Sequence, residues 1–140
     1  MREVQQTIFE PPLGDCFRAC IASILDLEID DVPNFNEHGD DWWCAFGKWL
    51  ASRGMVAFEV WIPDGGDQSW CSTVDKLTDV FAIVTFDSPR GDWLHCAVAD
   101  ATTGVVVWDP FPGATKGWPL DKQPKAWTFL VRLADAKEKL

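Results

Sequence analysis

The sequence predicts an α+β fold in which helices near the amino terminus pack on a mostly antiparallel sheet. Up to Gly54, apolar residues recur at helical spacing, whereas later apolar segments are short and separated by turn sequences. Helices followed by a run of strands are typical of the α+β class. The length of 140 residues is that of one compact domain, so we assign residues 1–140 to a single domain.

Two helices are expected in the first third of the chain. Residues 16–27 carry apolar side chains every three or four positions and follow the breaker sequence Pro-Pro-Leu-Gly-Asp at 11–15. Asp40 or Asp41 can cap the second helix. Gly54 is expected to end that helix as its C′ residue.

The remaining apolar segments are predicted to be strands. The three central runs are separated by turn sequences at 87–92 and 102–104, so they are expected to form an antiparallel meander. A short helical turn is expected at 72–77 and a polar, frayed tail at 134–140. The predicted strands are residues 55–62, 80–86, 93–99, 105–108 and 126–133.

Charge and hydropathy exclude several classes of function. The 22 acidic residues outnumber the 12 Lys and Arg residues and give a net charge of −10, so binding to nucleic acid phosphates is not expected. No run approaches the roughly 18 apolar residues of a membrane span, and the amino terminus lacks the pattern of an export signal. The sequence therefore predicts a cytoplasmic protein that binds neither membranes nor nucleic acid.

The cysteines are expected to be reduced thiols. Their number is odd, and a domain of this size folds without disulfide staples. With two histidines and no Cys-x-x-Cys pair, the sequence does not predict a metal site, and no organic cofactor is expected. The five cysteines are Cys16, Cys20, Cys44, Cys71 and Cys96.

Cys16 is the first candidate for chemistry. It lies at the start of a predicted helix, where free backbone N–H groups and the helix dipole stabilise a thiolate. A lowered pKa is the condition for a nucleophilic or redox cysteine. Cys20 lies one turn later, on the face expected to pack in the core.

A base and an orienting carboxylate can be placed near this thiol. His95 opens a strand after the turn at 91–92, while His38 lies in a loop and is expected to be solvated. Pairing of strands 93–100 and 104–109 would bring Asp109 close to His95, where a carboxylate can fix the imidazole tautomer. Asp109 is equally well placed to start an Asp-Pro turn. Trp93 or Trp108 can line a cleft beside this pair, or both can pack in the core.

Four short segments occur in an order that points to a family. They are Gly-Asp-Cys at 14–16 with Ala-Cys-Ile-Ala-Ser-Ile-Leu at 19–25, Val-Pro-Asn-Phe at 32–35, His-Cys-Ala-Val at 95–98 and Val-Trp-Asp-Pro at 107–110. In this order they resemble the papain-like cysteine peptidase clan. They are most similar to the small bacterial peptidases that process double-glycine leader peptides and to their single-domain relatives in bacteria and phages.

The resemblance implies a papain-like fold and a role for each site residue. Cys16 is the implied nucleophile, His95 the general base and acid, and Asp109 the orienting group. The family also has an upstream glutamine whose amide joins the Cys backbone N–H in an oxyanion hole. Gln6 and Gln5 are both available, and we favour Gln6, although its separation of ten residues from Cys16 exceeds the usual family spacing.

The function that the sequence predicts is a thiol-dependent hydrolase that cleaves a peptide or isopeptide bond in a protein or peptide substrate. A deamidase or acyl transferase can use the same triad, because the acceptor decides the outcome. The alternative from another class is an acidic binding or inhibitor protein, or a degenerate peptidase-like fold, whose charge would favour a basic partner.

Overall fold

The computed structural model describes residues 1–65, 80–114, 118–119 and 124–134 and has an α+β fold. Two 3-10 segments, Ile29–Asp31 and Phe35–Asp41, lie between the helices, and Gly39 interrupts the second with a φ of 56°. The helices are α1 (Cys16–Leu25) and α2 (Trp42–Ala51). The strands are β1 (Met55–Trp61), β2 (Phe81–Asp87), β3 (Leu94–Asp100), β4 (Val105–Trp108), β5 (Trp118–Pro119) and β6 (Ala126–Arg132).

The six strands form one antiparallel sheet in the order β1-β6-β2-β3-β4-β5. Strands β2, β3 and β4 are sequential neighbours, which confirms the predicted meander. Strand β6 lies between β1 and β2, and this insertion leaves β1 at an edge of the sheet. Strands β6 and β2 therefore lie between β1 and β3 in the sheet.

The helices cover one face of the sheet. Buried side chains of α1 and α2 form the main core with residues of β1, β2 and β3. Among them Ile21, Phe46 and Leu50 have no exposed surface. The other face has a second cluster that includes Phe86 and Trp127. This packing fixes α1 against the strand that carries His95.

The helix ends differ from the sequence prediction. Helix α1 stops at Leu25 rather than residue 27, because Asp26 adopts a left-handed conformation with a φ of 57°. Helix α2 ends at Ala51 with Ser52 as its C-cap, so the prediction that Gly54 is the C′ residue is wrong by one position. Cys71, the predicted turn at 72–77 and residues 135–140 of the predicted tail lie outside the described residues.

A β-bulge breaks the pairing of β3 with β4. Ala99 pairs with Val106, but Val98 pairs with Trp108, so Val107 is the extra residue. Without the bulge Asp109 would lie opposite Cys96; with it, continuation of the register places Asp109 opposite Ala97. Because alternate residues share a face, the bulge moves Asp109 onto the face of the strand pair that His95 occupies.

None of the helices among the described residues is long and apolar enough to cross a membrane.

Candidate active site

The structure brings together Cys16, His95 and Asp109, which come from three separate parts of the chain. His95 Nε2 lies 2.8 Å from Asp109 Oδ1, and both side chains are buried. The Cys16 thiol interacts with the same imidazole, and this interaction lowers the pKa of the thiol and raises the pKa of His95. Because Nε2 faces the carboxylate, Nδ1 is the ring nitrogen left for the thiol. The three groups thus lie in one sequence from carboxylate through imidazole to sulfur.

Cys16 is the first residue of α1, the end of the helix where free N–H groups and the positive end of the helix dipole favour a thiolate. The pKa of Cys16 lies well below that of an ordinary thiol. The hydrogen bond with the Cys96 thiol is the largest cause, and the contact with His95 acts in the same direction. Together they outweigh burial, which alone would raise the pKa. The site therefore favours the thiolate form of Cys16.

His95 interacts with both of the other groups. Burial acts to lower its pKa, but the hydrogen bonds with Asp109 and Cys16 outweigh burial, and the pKa is raised above its ordinary value. The edge of the imidazole meets the Phe86 ring at a centroid distance of 5.5 Å. A raised imidazole pKa and a lowered thiol pKa together favour an imidazolium paired with a thiolate.

Asp109 makes the contacts of both interpretations that the sequence left open. Its Oδ1 faces His95, and the same oxygen accepts a hydrogen bond of 2.9 Å from the Phe111 backbone N–H. The second contact closes the turn through Pro110 and fixes the side-chain rotamer. Turn formation thus aims the carboxylate at the imidazole.

Gln6 lies in the same cleft as Cys16, whereas Gln5 is exposed. Gln6 is 5% exposed, and its Nε2 donates one hydrogen bond of 3.1 Å to the Ile8 carbonyl. An amide nitrogen carries two donors, so one remains available. Its Oε1 is buried and has no hydrogen-bond partner among the described residues. The side chain is therefore fixed at the cleft with unused hydrogen-bonding capacity.

The long spacing between Gln6 and Cys16 is absorbed by a loop. The Asp15 backbone N–H donates a hydrogen bond of 3.0 Å to the Ile8 carbonyl. This bond brings the two ends of the loop at residues 9–14 together. The Gln6 N–H also donates a bond of 2.9 Å to the Pro110 carbonyl. Gln6 is thereby attached both to the turn of Asp109 and to the start of α1.

Asp15 makes this attachment, and sequence reasoning missed it. Its carboxylate is fully buried and accepts bonds of 2.8 Å from the Thr7 and Ile8 backbone N–H groups and 2.7 Å from the Thr7 hydroxyl. An Arg18 guanidinium nitrogen lies 3.5 Å from the second carboxylate oxygen. Asp15 occupies the N-cap position of α1, yet its side chain caps no helical N–H.

Cys96 is the second residue that sequence reasoning missed. It is buried beside Cys16, and the hydrogen bond with Cys16 and burial both raise the pKa of Cys96. Its sulfur lies 3.5 Å from the Thr85 hydroxyl. A protonated thiol next to a thiolate acts as a hydrogen-bond donor. In the sequence, the one sign of its place in the site is that it directly follows His95. That sign is weak, because a buried cysteine usually has a packing role.

An open cleft of about 280 Å³ gives access to Cys16, His95 and Gln6. Trp93 lines it, while Trp108 packs in the core and donates a hydrogen bond of 2.8 Å to the Val4 carbonyl. The Trp93 ring rests against Gly91, where a Cβ would come within 1.8 Å of the ring. The wall includes five Phe and Trp residues, namely Phe9, Phe17, Trp42, Trp61 and Trp93.

The other sequence candidates lie away from this chemistry. Cys20 is fully buried in the core, where burial raises its pKa, and His38 is exposed on the second 3-10 segment. Within the described ranges, no group of three or more His, Cys, Asp and Glu side chains could hold a metal ion.

Comparisons of the chain with protein-family models, curated proteins and solved structures find no match. The chemistry of the site therefore has to follow from its own geometry and charge.

The first prediction concerns the reactivity of Cys16. Iodoacetamide should alkylate it faster than the other four thiols at about pH 6, where an ordinary thiol is protonated. Its rate should level off at a lower pH than the rates of the other thiols, because its pKa is lowered. Cys96→Ala should shift the rate profile to higher pH, since it removes the largest cause of the lowered pKa, whereas Cys44→Ala should not. Peptide mapping after brief labelling measures these rates, and faster labelling of Cys44 or Cys71 would contradict the assignment.

The second prediction concerns the Asp15 anchor. Asp15→Ala should lower the free energy of unfolding by about 3 kcal/mol, because it leaves buried donors on Thr7 and Ile8 without an acceptor. Asp15→Asn should lose about half as much, since an amide oxygen still accepts from both backbone N–H groups. Asp30→Ala is the matched control: Asp30 also pairs with Arg18 but is 95% exposed, so the loss should stay below about 0.5 kcal/mol. Urea unfolding measures all three, and equal losses for Asp15→Ala and Asp30→Ala would refute the anchor.

Proposed function

We propose that this protein is a thiol-dependent hydrolase of papain-like fold that cleaves an amide bond in a peptide or protein. The observation that carries the proposal is that Cys16 and His95 line one open cleft, where His95 is hydrogen-bonded to Asp109 and lowers the pKa of Cys16. A nucleophile, a base in contact with it and a third group that orients the base are the arrangement of covalent acyl-transfer catalysis.

Acylation begins with attack of the Cys16 thiolate on the carbonyl carbon of the substrate. The carbonyl oxygen becomes an oxyanion, for which the free Cys16 N–H and the second N–H of Gln6 Nε2 are the available donors. The His95 imidazolium then gives its proton to the amide nitrogen as the carbon–nitrogen bond breaks. The amine leaves, and the acyl group remains on Cys16 as a thioester.

Deacylation restores the enzyme with one water molecule. Neutral His95 takes a proton from the water, whose oxygen attacks the thioester carbonyl. Collapse of the second oxyanion releases a carboxylic acid and the Cys16 thiolate, which again pairs with the imidazolium. Asp109 stays ionised and holds the imidazole through Nε2 in both half-reactions. The same thioester would serve a deamidase or an acyl transferase with another leaving group or acceptor.

An acidic binding protein on the same fold is the second candidate, and the net charge of −10 favours it. The lowered pKa of Cys16 and the raised pKa of His95 favour the hydrolase, because binding alone does not require a reactive thiol.

The third prediction separates the hydrolase from the binding protein. p-Nitrophenyl acetate should acetylate Cys16 and release a burst of one p-nitrophenol per protein molecule. Cys16→Ala should abolish the burst, and His95→Ala should slow it by about a hundredfold or more. The double variant should lose no more activity than Cys16→Ala, because the two residues act as a unit.

Mass spectrometry locates the acetyl group, and digestion of a peptide library tests amide cleavage. Cys44→Ala is the matched control, since that thiol is exposed and lies on α2. An undiminished burst in Cys16→Ala would remove Cys16 from the mechanism. Acetylation of Cys16 without cleavage of any library peptide would favour a transferase.

The fourth prediction tests Asp109 as the orienting group. Both of its described contacts use Oδ1, so the amide oxygen of Asp109→Asn can accept from His95 and from the Phe111 N–H. Turnover should fall by about tenfold in Asp109→Asn, which loses the charge, and by about a further tenfold in Asp109→Ala, which orients nothing.

Turnover is measured per burst-titrated site, beside a thermal melting curve. A residue that only starts the turn gives another pattern: Asp109→Ala would melt at a lower temperature but turn over at the wild-type rate. That result would leave Asp109 with a structural role alone.

A further inference from the structure

The cleft continues from Cys16 across the sheet to its edge. In the observed register Cys96 pairs with Thr85, Thr85 with Ala126 and Ala126 with Trp61, so these residues form one row on one face of four strands. At a strand spacing of about 4.8 Å, the row is about 14 Å long. Of the two inner residues, Thr85 lines the cleft, whereas Ala126 is fully buried.

Glu59 lies at the far end of this row. It is on β1, two residues before Trp61 and therefore on the same face, and it is half-buried in the cleft wall. Its Oε1 accepts a hydrogen bond of 2.6 Å from Trp61 Nε1, and its Oε2 accepts one of 3.1 Å from the Thr128 hydroxyl. Both donors are neutral, so they hold the carboxylate in place without compensating its charge.

The carboxylate retains capacity for a cation. Its two oxygens offer about four acceptor sites, of which these contacts occupy two. Within the described part of the chain, no Lys or Arg forms a salt bridge with Glu59. A half-buried carboxylate with fixed geometry and no cationic neighbour attracts a positively charged group of a ligand.

Two indole rings, those of Trp42 and Trp61, line the cleft together with this carboxylate. Trp42, Glu59 and Trp61 line the cleft and also a shallow depression next to it, so they form the wall between the two. Trp61 is 60% exposed although its Nε1 is bound. Indole faces attract ammonium and guanidinium groups, and guanidinium groups also stack on them.

Among the described residues, Arg90 is the one Lys or Arg side chain that lines the cleft, and it lies away from Glu59. Arg90 is on the connection between β2 and β3, whereas Glu59 is on the edge strand β1 beyond β6. The Arg90 guanidinium lies 3.7 Å from the centre of the Phe111 ring. The wall around Glu59 therefore keeps its negative character.

We propose that Glu59, Trp42 and Trp61 form a specificity pocket for a cationic side chain, arginine or lysine, in the acyl part of a peptide substrate. The proposal rests on the proposed function, because it extends from the thiol that would form the acyl-enzyme. The net charge of −10 adds a long-range attraction for basic peptides. Glu59 is then a specificity residue, and it takes no part in the bond-breaking steps.

Peptidyl chloromethyl ketones test the pocket through the rate at which they alkylate Cys16. Matched pairs carry arginine or its uncharged isostere citrulline, either next to the ketone or one residue before it. At one of these positions the arginine probe should react about tenfold faster than the citrulline probe. Glu59→Gln should reduce this ratio towards one, and Trp61→Ala, at a largely exposed position, should reduce it about threefold.

Each rate is divided by the iodoacetamide rate of the same variant, so that changes in thiol reactivity cancel. Glu28→Gln is the matched control, because it removes the same charge from an exposed side chain outside the cleft, and it should retain the full ratio. A wild-type ratio of one at both positions, or a ratio that Glu59→Gln leaves unchanged, would overturn the pocket.

A binding measurement keeps the pocket separate from the chemistry. In Cys16→Ala protein, N-acetyl-arginine amide should quench tryptophan fluorescence in a saturable way, and the citrulline analogue should not. The arginine amide could quench the fluorescence even though Cys16 of the wild-type protein does not react with iodoacetamide. That combination would support the pocket and refute the proposed nucleophile. Equal quenching by both amides would refute the pocket even if Cys16 is reactive.

Discussion

The buried carboxylate of Asp15 is the interaction on which the rest of the site depends. It joins the extended amino-terminal segment to the start of α1 by accepting hydrogen bonds from Thr7 and Ile8. On one side of this junction lies Cys16, and on the other lies Gln6, whose own N–H reaches the turn that holds Asp109. A single buried charge therefore sets the relative positions of groups from both ends of the chain. Its three short bonds compensate the cost of removing the charge from water.

The electrostatics of Cys16 are short-range. The chain carries a net charge of −10, which would disfavour a thiolate over long distances. Contacts with Cys96 and His95, together with the start of α1, favour the thiolate locally and outweigh burial. Salt screens these short contacts only weakly, whereas it screens distant surface charges strongly. The acidic surface therefore has little influence on the protonation of the thiol. An acidic surface and a thiolate can thus coexist in one chain.

Much of the fold could be predicted from the sequence because its signals are local. Helical and strand periodicity predicted both helices and the central meander, and the turn sequences predicted how His95 and Asp109 approach each other. The insertion of β6 beside β2 could not be predicted, because pairing of distant strands leaves no local pattern. The bulge at Val107 was equally hidden, since the segment 105–108 reads as a regular strand.

The candidate site was predictable to a similar extent. Cys16, His95 and Asp109 were accessible from element ends and residue chemistry. Asp15 was missed because an aspartate before a helix is usually an N-cap. Cys96 and Glu59 were missed because a buried cysteine and a strand glutamate are ordinary in sequence, and their roles arise only from their neighbours in space.

The loop at 9–14 has a consequence for how such chains diverge. Its two ends are joined by the bond from the Asp15 N–H to the Ile8 carbonyl, so residues can be added or lost between them without moving Gln6 or Cys16. The number of residues separating glutamine from cysteine is then free to drift, while the hydrogen bonds that place them are kept. A search pattern that fixes this interval would pass over such chains, whereas one that requires an aspartate directly before the cysteine, with a variable gap upstream, would retrieve them.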